Sequence, residues 1–450
     1  MASIDSDRIF GRFELAERPA LVAAVSGGSD SLGLLFLLKD HLGRRAPATQ
    51  IVAVTIDQGL RAEAAGEARA VAALCHAQGI THRTLRWTTA KPATGLPAAA
   101  REARYRLLAE AAATEGTDLV LTGHTLDDLI ETVDMRRARG AKGPGDGRGL
   151  AGMAPATLYD GRSWLLRPLL GTERAALRAW LTERAIGWID DPTNVDSKYE
   201  RARLRAATAI GQDTQSARSR IAAAASERAA LGEAAAALIR THAKLAAPGL
   251  VALNPAFAEC LHGEAAVYAL RMMLAAIGGM EQLPDARSGA ALFPRIAQES
   301  FRSTLSRVVI DATARAIFLR REGRGLPGPS RQPSGGIWDG RFRIGNLPEG
   351  TTLAPAGIAA AAAIMDASSV VASDIAPGLV RSAVATEPAL WRDGLCQGLA
   401  AESGMARRII APWARFLPSF DLAPARAAAE LVGADIAPEP PFAGHKERKG

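Results

Sequence analysis

A chain of 450 residues with 48% hydrophobic content can bury a sizeable core and divide into two or three domains. No apolar run reaches the roughly 18 residues that a membrane helix needs, and the opening segment mixes acids with bases, so the sequence predicts a cytoplasmic protein with no membrane association. The net charge of +7 favours a polyanionic partner or substrate, although a solvated arginine surface produces the same excess. Cys75, Cys260 and Cys396 stand far apart with no CxxC pair, which excludes a disulfide framework, a four-cysteine zinc site and a CxxC iron–sulfur pair.

In chain order, the apolar run 21–25 reads as a buried strand and 32–42 as a helix. Between them lie Ser26, Gly27, Gly28, Ser29, Asp30 and Ser31. Two glycines let the backbone turn its N–H groups inward, three hydroxyls add donors, and the positive end of the following helix faces the same point; this is the chemistry of a phosphate loop. No Gly-Lys-Ser/Thr closes it, so it is not a Walker A loop. A Ser/Gly turn with Asp30 as a helix cap is the structural alternative. Further strands over 51–56, 84–87 and 119–122, with helices over 63–78, 96–113 and 126–139, predict an α/β fold with a doubly wound parallel sheet. Ligands of such sheets lie beyond the carboxyl ends of the strands, where the 26–31 loop, Asp57 and His124 all fall.

Residues 140–152 carry six glycines and form a candidate lid beside that cleft. Extended 164–170 and helical 173–184 lead to Asp190-Asp191-Pro192-Thr193-Asn194 and a basic helix over 199–205. Beyond 206 the composition becomes alanine-rich and helical, 305–320 reads as extended, and 323–336, rich in Gly, Pro and Ser, reads as a linker. The expected organisation is a catalytic domain over 1–205, a mainly helical domain over 206–322, a small module over 337–433 available for RNA contact, and a disordered basic tail over 434–450.

The second informative segment is Gly123-His124-Thr125-Leu126-Asp127-Asp128-Leu129-Ile130-Glu131-Thr132. With a helix starting near Thr125, His124, Asp128 and Glu131 fall near one another and Asp127 lies beside them. Acids favour helix N-termini for structural reasons, and a strand-end histidine is commonly structural too. The functional alternative is that Asp30 and Asp128 hold a divalent cation against the phosphates bound by the 26–31 loop, with His124 beside them, which makes Asp30, His124 and Asp128 the candidate catalytic residues.

SGGxDS after a strand resembles the loop of the N-type ATP pyrophosphatases, or PP-loop proteins. Those enzymes adenylate a carbonyl oxygen and then substitute it with a nitrogen or sulfur nucleophile. After it come, in order, Thr55-Ile56-Asp57-Gln58-Gly59-Leu60-Arg61, Ala100-Arg101-Glu102-Ala103-Arg104-Tyr105, GHxxDDxxET, Arg148-Gly149-Leu150-Ala151-Gly152-Met153, Leu166-Arg167-Pro168-Leu169, the DDPTN cluster and the basic 199–205 segment. The ordered set resembles the tRNA(Ile)-lysidine synthetase family over about the first 205 residues.

The resemblance implies an ATP-dependent ligase that attaches L-lysine to C2 of cytidine at the first anticodon position of an isoleucine tRNA with a CAU anticodon. An adenylated cytidine would be the intermediate, and codon specificity would change from AUG to AUA. It further implies ATP on Ser26, Gly27, Gly28, Ser29, Asp30 and Ser31, with Asp57 near the nucleoside. Mg²⁺ would lie on Asp30 and Asp128, and RNA phosphate or the anticodon base on Arg101, Arg104, Arg201 and Arg205. The sequence is compatible with a homodimer. Three positions depart from the family pattern: Gln58 stands where histidine is usual, Leu129 where glutamine is common and Ala202 where asparagine is usual. Another PP-loop enzyme, or a non-catalytic RNA-binding relative, is the alternative; the first would need a sulfur-carrying cysteine or a glutaminase domain, and the second would predict loss of the cleft acids.

Overall fold

The computed structural model describes residues 4–138, 146–190, 214–260, 263–296, 301–313, 315–331, 333–367 and 375–442. The chain forms two compact units, one of Met1–Glu227 joined by the segment from Pro438, the other of Arg228–Ala437. In the first, a short α1 (Ser6–Phe10) precedes β1 (Ala20–Ala24), α2 (Ser29–Arg45), β2 (Gln50–Asp57), α3 (Ala64–Ala77), β3 (Thr81–Arg86), α4 (Leu96–Thr114), β4 (Leu119–Thr122) and α5 (Leu126–Ala138), which from β1 onward alternate as the hydrophobic pattern predicts. A 3-10 turn (Asp146–Ala151), β5 (Ala156–Tyr159), β6 (Ser163–Leu166) and α6 (Arg174–Glu183) follow.

The strands pair in the order β5-β6-β4-β1-β2-β3, parallel throughout except for the antiparallel β5-β6 edge. Strand β1 lies between β2 and β4 with both faces covered, which is why Leu21, Val22 and Ala23 are fully buried and the strand is apolar without alternation. Because β2 and β3 extend from one side of β1 while β4 lies on the other, the winding reverses between β1 and β4, and a crevice opens beyond their carboxyl ends. The loops after these two strands carry Ser26 to Ser31 and Gly123-His124. Helix α5 seats Leu126, Leu129 and Val133 against Leu170 and Ile221.

In the second unit, the latter part of α7 (Thr214–His242) leads into a five-stranded antiparallel sheet. It contains β7 (Ala243–Ala247), β8 (Leu250–Leu253), β9 (Phe301–Leu305), β10 (Val308–Ala312) and β11 (Ile317–Arg321) in the order β7-β8-β11-β10-β9, with α8 (Gly263–Gly278) packed on it. The expectation of a mainly helical 206–322 region missed the β7-β8 hairpin, whose Pro248-Gly249 turn is a recognisable hairpin signal inside an alanine-rich stretch. The expected linker at 323–336 is instead tied in, with Ser330 bridged to Leu353, so 228–437 forms one unit and not two. Two fully buried arginines, Arg321 and Arg341, meet on Asp339 at 3.0 and 2.7 Å, and Arg341 also reaches Glu387 at 2.7 Å. At the C-terminal end, Phe442 bridges Phe13 within the first unit, and both rings are buried. Residues 434–442 are therefore placed structure and not tail; 443–450 lie outside the described residues.

Candidate active site

The loop after β1 turns through Gly27, whose φ of +89° is left-handed and whose missing Cβ would lie 2.9 Å from Ile189 Cδ1. Gly28 is the extended N-cap of α2, and the first bond of the turn runs from the Leu32 N–H to the Gly28 carbonyl at 3.0 Å. The amides at Ser29, Asp30 and Ser31 thus open the helix with no intrahelical acceptor and the positive end of its dipole behind them, as a phosphate site requires. The hydroxyls are arranged differently from the sequence expectation. Ser31 donates to the Gly28 carbonyl at 3.0 Å and accepts the Ser26 N–H at 3.1 Å, while Ser29 donates to Asp30 Oδ1 at 3.1 Å. They hold the loop in shape, and the backbone supplies the anion donors.

Across the crevice, Gly123 lets the end of β4 come against α2: a Cβ there would lie 2.7 Å from the Asp30 carbonyl oxygen. His124 follows, its Nδ1 2.9 Å from Thr122 Oγ1. Helix α5 then begins with a reciprocal cap. Asp128 Oδ2 accepts the Thr125 N–H at 2.9 Å and the Thr125 hydroxyl at 3.1 Å, and Thr125 Oγ1 accepts the Asp128 N–H at 3.4 Å.

The residue that gathers these acids is Arg174, at the first position of α6. Its Nε donates to Asp30 Oδ2 at 2.8 Å, its Nη2 to Asp128 Oδ1 at 2.8 Å, its Nη1 lies 3.8 Å from Glu131, and its backbone N–H donates to Asp127 Oδ2 at 2.8 Å. Burial works against the guanidinium charge, but Asp128 and Asp30 more than offset it and hold Arg174 firmly protonated. The two carboxylates on this one fork titrate in opposite directions. Burial pushes Asp30 up despite Arg174, whereas for Asp128 the burial effect is overcome by Arg174, the Thr125 N–H and the charge of His124, and its carboxyl is held low. Sequence reasoning missed Arg174, though a signal existed: a cation at a helix N-terminus opposes the dipole, so such a residue is placed there by something else.

The cation between Asp30 and Asp128 is thus this guanidinium. Both Asp128 oxygens are engaged, one with Arg174 and the other with Thr125, whereas among the described residues Asp30 Oδ1 bonds only the Ser29 hydroxyl. Among the described residues no group of three or more His, Cys, Asp or Glu side chains is placed to hold a metal ion. A Mg²⁺ carried by ATP phosphates and touching Asp30 fits this donor set; one shared between Asp30 and Asp128 does not.

The other expected site residues are distributed around the crevice. Asp57 is buried at the end of β2, accepting the Gly59 N–H at 2.8 Å and Arg86 Nε at 3.1 Å, and Gln58 donates to the Ala100 carbonyl at 2.8 Å, tying β2 to α4. Arg101 and Arg104 are exposed on α4, with Arg101 over the Tyr105 ring at 4.8 Å. Arg178 links the loop to the segment that follows α6, reaching Ser29 Oγ at 3.3 Å and Asp190 at 2.7 Å. Arg201, Arg205, Ala202 and the rest of the DDPTN cluster after Asp190 lie outside the described residues, as do positions 140–145 of the candidate lid; its end, 148–152, is held by Arg136 through the Gly149 and Gly152 carbonyls at 2.8 and 3.0 Å.

An α/β sheet with a nucleotide loop after its first strand and an acid cluster after its fourth defines an ATP-using PP-loop protein, and the PP-loop domain family matches residues 4–209. Relatives match far beyond that domain. A tRNA(Ile)-lysidine synthase of Mesorhizobium japonicum is 50% identical, covering 98% of each chain. One of Rhizobium meliloti is 39% identical over 98% of this chain and 97% of that one, and one of Brucella melitensis is 41% identical over 74% and 76%. The chain belongs to the tRNA(Ile)-lysidine synthase family and is an ATP-using ligase.

Proposed function

We propose that the protein joins L-lysine to C2 of cytidine at the first anticodon position of an isoleucine tRNA bearing CAU, at the crevice between β1 and β4. The C2 oxygen attacks the α-phosphorus of ATP and diphosphate leaves; the lysine ε-amine then attacks C2 and AMP departs with that oxygen. The amides opening α2 hold the phosphates, and Asp30 faces them. A Mg²⁺ arriving with ATP would touch Asp30 and neutralise charge on the departing diphosphate. Arg174 fixes Asp30 and Asp128 relative to each other, so that the two reactants meet at carboxylates whose positions do not relax. Exposed Arg101 and Arg104, with Arg201 and Arg205 further along the chain, contact RNA.

The observation that carries this reading is the juxtaposition of the α2 amides with the Asp30–Arg174–Asp128 bridge at a single crevice. Purified protein with Mg²⁺, ATP, labelled lysine and that tRNA places label in the RNA and yields an equal amount of AMP. The linkage survives mild alkali that cleaves aminoacyl esters. ATP consumed without lysine transfer refutes the assignment while leaving the nucleotide site standing.

A further inference from the structure

Thr122, the last residue of β4, is buried, and its hydroxyl lies between two groups: the Leu166 carbonyl oxygen at 3.1 Å and His124 Nδ1 at 2.9 Å. Leu166 pairs with Leu121 in the β4-β6 ladder, so that carbonyl is fixed by the sheet. A hydroxyl has one proton to donate, and a carbonyl oxygen can only accept. Were the proton given to Nδ1, two oxygens would face each other at 3.1 Å with no hydrogen between them. Giving it to Leu166 and taking an N–H from Nδ1 satisfies both contacts. That arrangement requires the imidazole proton on Nδ1, and a neutral ring has only one, so its basic lone pair is at Nε2.

We propose that Thr122 is a positioning residue that fixes His124 as the Nδ1–H tautomer, so that the neutral ring works at Nε2 as a proton acceptor and never as a donor. The inference rests on the lysine-transfer reading and decides a role within it. The incoming ε-ammonium must lose a proton before its nitrogen attacks C2. In the step assigned here an N–H bond breaks, the electron pair stays on the amine nitrogen, and the proton passes to Nε2 to give the imidazolium. The opposite role, a neutral histidine donating a hydrogen bond to the C2 oxygen, is closed to this tautomer. Among the described residues, the charged cluster that His124 adjoins through Asp128 also contains Asp30 from α2, Asp127 and Glu131 from α5, and Arg174 from α6. Asp128 feels the charge of His124 directly, so an imidazolium formed there has a counter-ion in place.

The tautomer can be read without any turnover. In the full-length protein labelled with ¹⁵N at the histidine rings, the His124 signals are those lost in His124→Gln. Above the titration of the ring we expect a proton-bearing Nδ1 and a bare Nε2 in the wild type, a mixed or reversed pattern in Thr122→Val, and the wild-type pattern again in Thr122→Ser. Lysine transfer follows the same order: kcat falls about tenfold to a hundredfold in Thr122→Val, as for loss of other groups that orient a functional histidine, with the KM for ATP unmoved, and Thr122→Ser recovers most of the loss. A neutral wild-type ring with its proton on Nε2 overturns the proposal, as does a Thr122→Val protein whose ring signals and kcat match the wild type. Should Thr122→Val not fold, the wild-type and Thr122→Ser spectra still decide it. A wild type with the Nδ1–H tautomer that transfers no lysine refutes the reaction and not the tautomer.

Discussion

Asp30 and Asp128 are chemically identical, share one guanidinium, and differ in what each does for the fold. Asp128 has its carboxyl held low, so the stability it contributes is complete above the ordinary carboxylate range and is lost as pH falls through its depressed folded value. Asp30 is held high, so its ionised form costs stability above that raised value, and the cost vanishes below the unfolded one. Asp128→Asn keeps an oxygen for the Thr125 cap but removes the charge facing Arg174, and should therefore lower stability at neutral pH by about 1.5–3 kcal/mol, the worth of a hydrogen bond to a charged group, with the deficit closing in acid. Asp30→Asn should melt no lower than the wild type at pH 7 while abolishing adenylation; thermal scans across pH compare the two, and a depressed melting point for Asp30→Asn would mean that the Arg174 bond outweighs burial. Arg174→Met removes the shared cation from three partly buried carboxylates and should cost roughly 3–5 kcal/mol, the range for breaking a buried ion pair on one side. If denaturant titration finds no loss, Arg174 does not hold the cluster.

At the level of elements, the two motifs legible in sequence were the ones whose chemistry is local. Ser26 to Ser31 between strand and helix, and His124 to Glu131 across a strand-to-helix turn, carry their reasons within ten residues. Arg174 meets Asp30 across 144 positions of chain, and no periodicity announces such a contact. Two of the three departures from the family pattern, Gln58 and Leu129, have local explanations, and Gln58 ties β2 to α4; Ala202 lies outside the described residues. Leu129 is an apolar residue in a buried cluster with Leu126, Val133 and Leu170, where a glutamine amide would need partners, and Gly152, left-handed at φ +65°, leaves room for its side chain. Gly123 has the same function between β4 and α2, because a methyl group would press on backbone that cannot swing aside. Gly123→Ala should therefore weaken ATP binding by displacing the start of α2, and isothermal titration with a non-hydrolysable ATP analogue measures it; unchanged affinity would show that the junction can yield.

For the whole molecule, nothing in the sequence indicates that the first unit is built from both its N-terminal part and the segment from Pro438. The Pro-rich composition of 434–450 reads as disorder because nothing within that stretch indicates the buried partner of Phe442, which lies more than four hundred residues earlier at Phe13. Phe442→Ala should cost the first unit about 3 kcal/mol, as buried phenylalanine truncations do, read as a lowered denaturant midpoint, and a chain ending before Pro438 should lose as much. Equal midpoints for wild type and Phe442→Ala would make the bridge incidental. The same bridge sets an order of events at the ribosome. The N-terminal sheet can emerge and pair early, yet its last contact waits until the intervening unit has been synthesised, about 10–40 s later for roughly 200 residues at ordinary translation speeds. During that interval the apolar surface around Phe13 is open to chaperones, and a transcript truncated near its end yields a protein with an intact nucleotide loop and an unsealed edge.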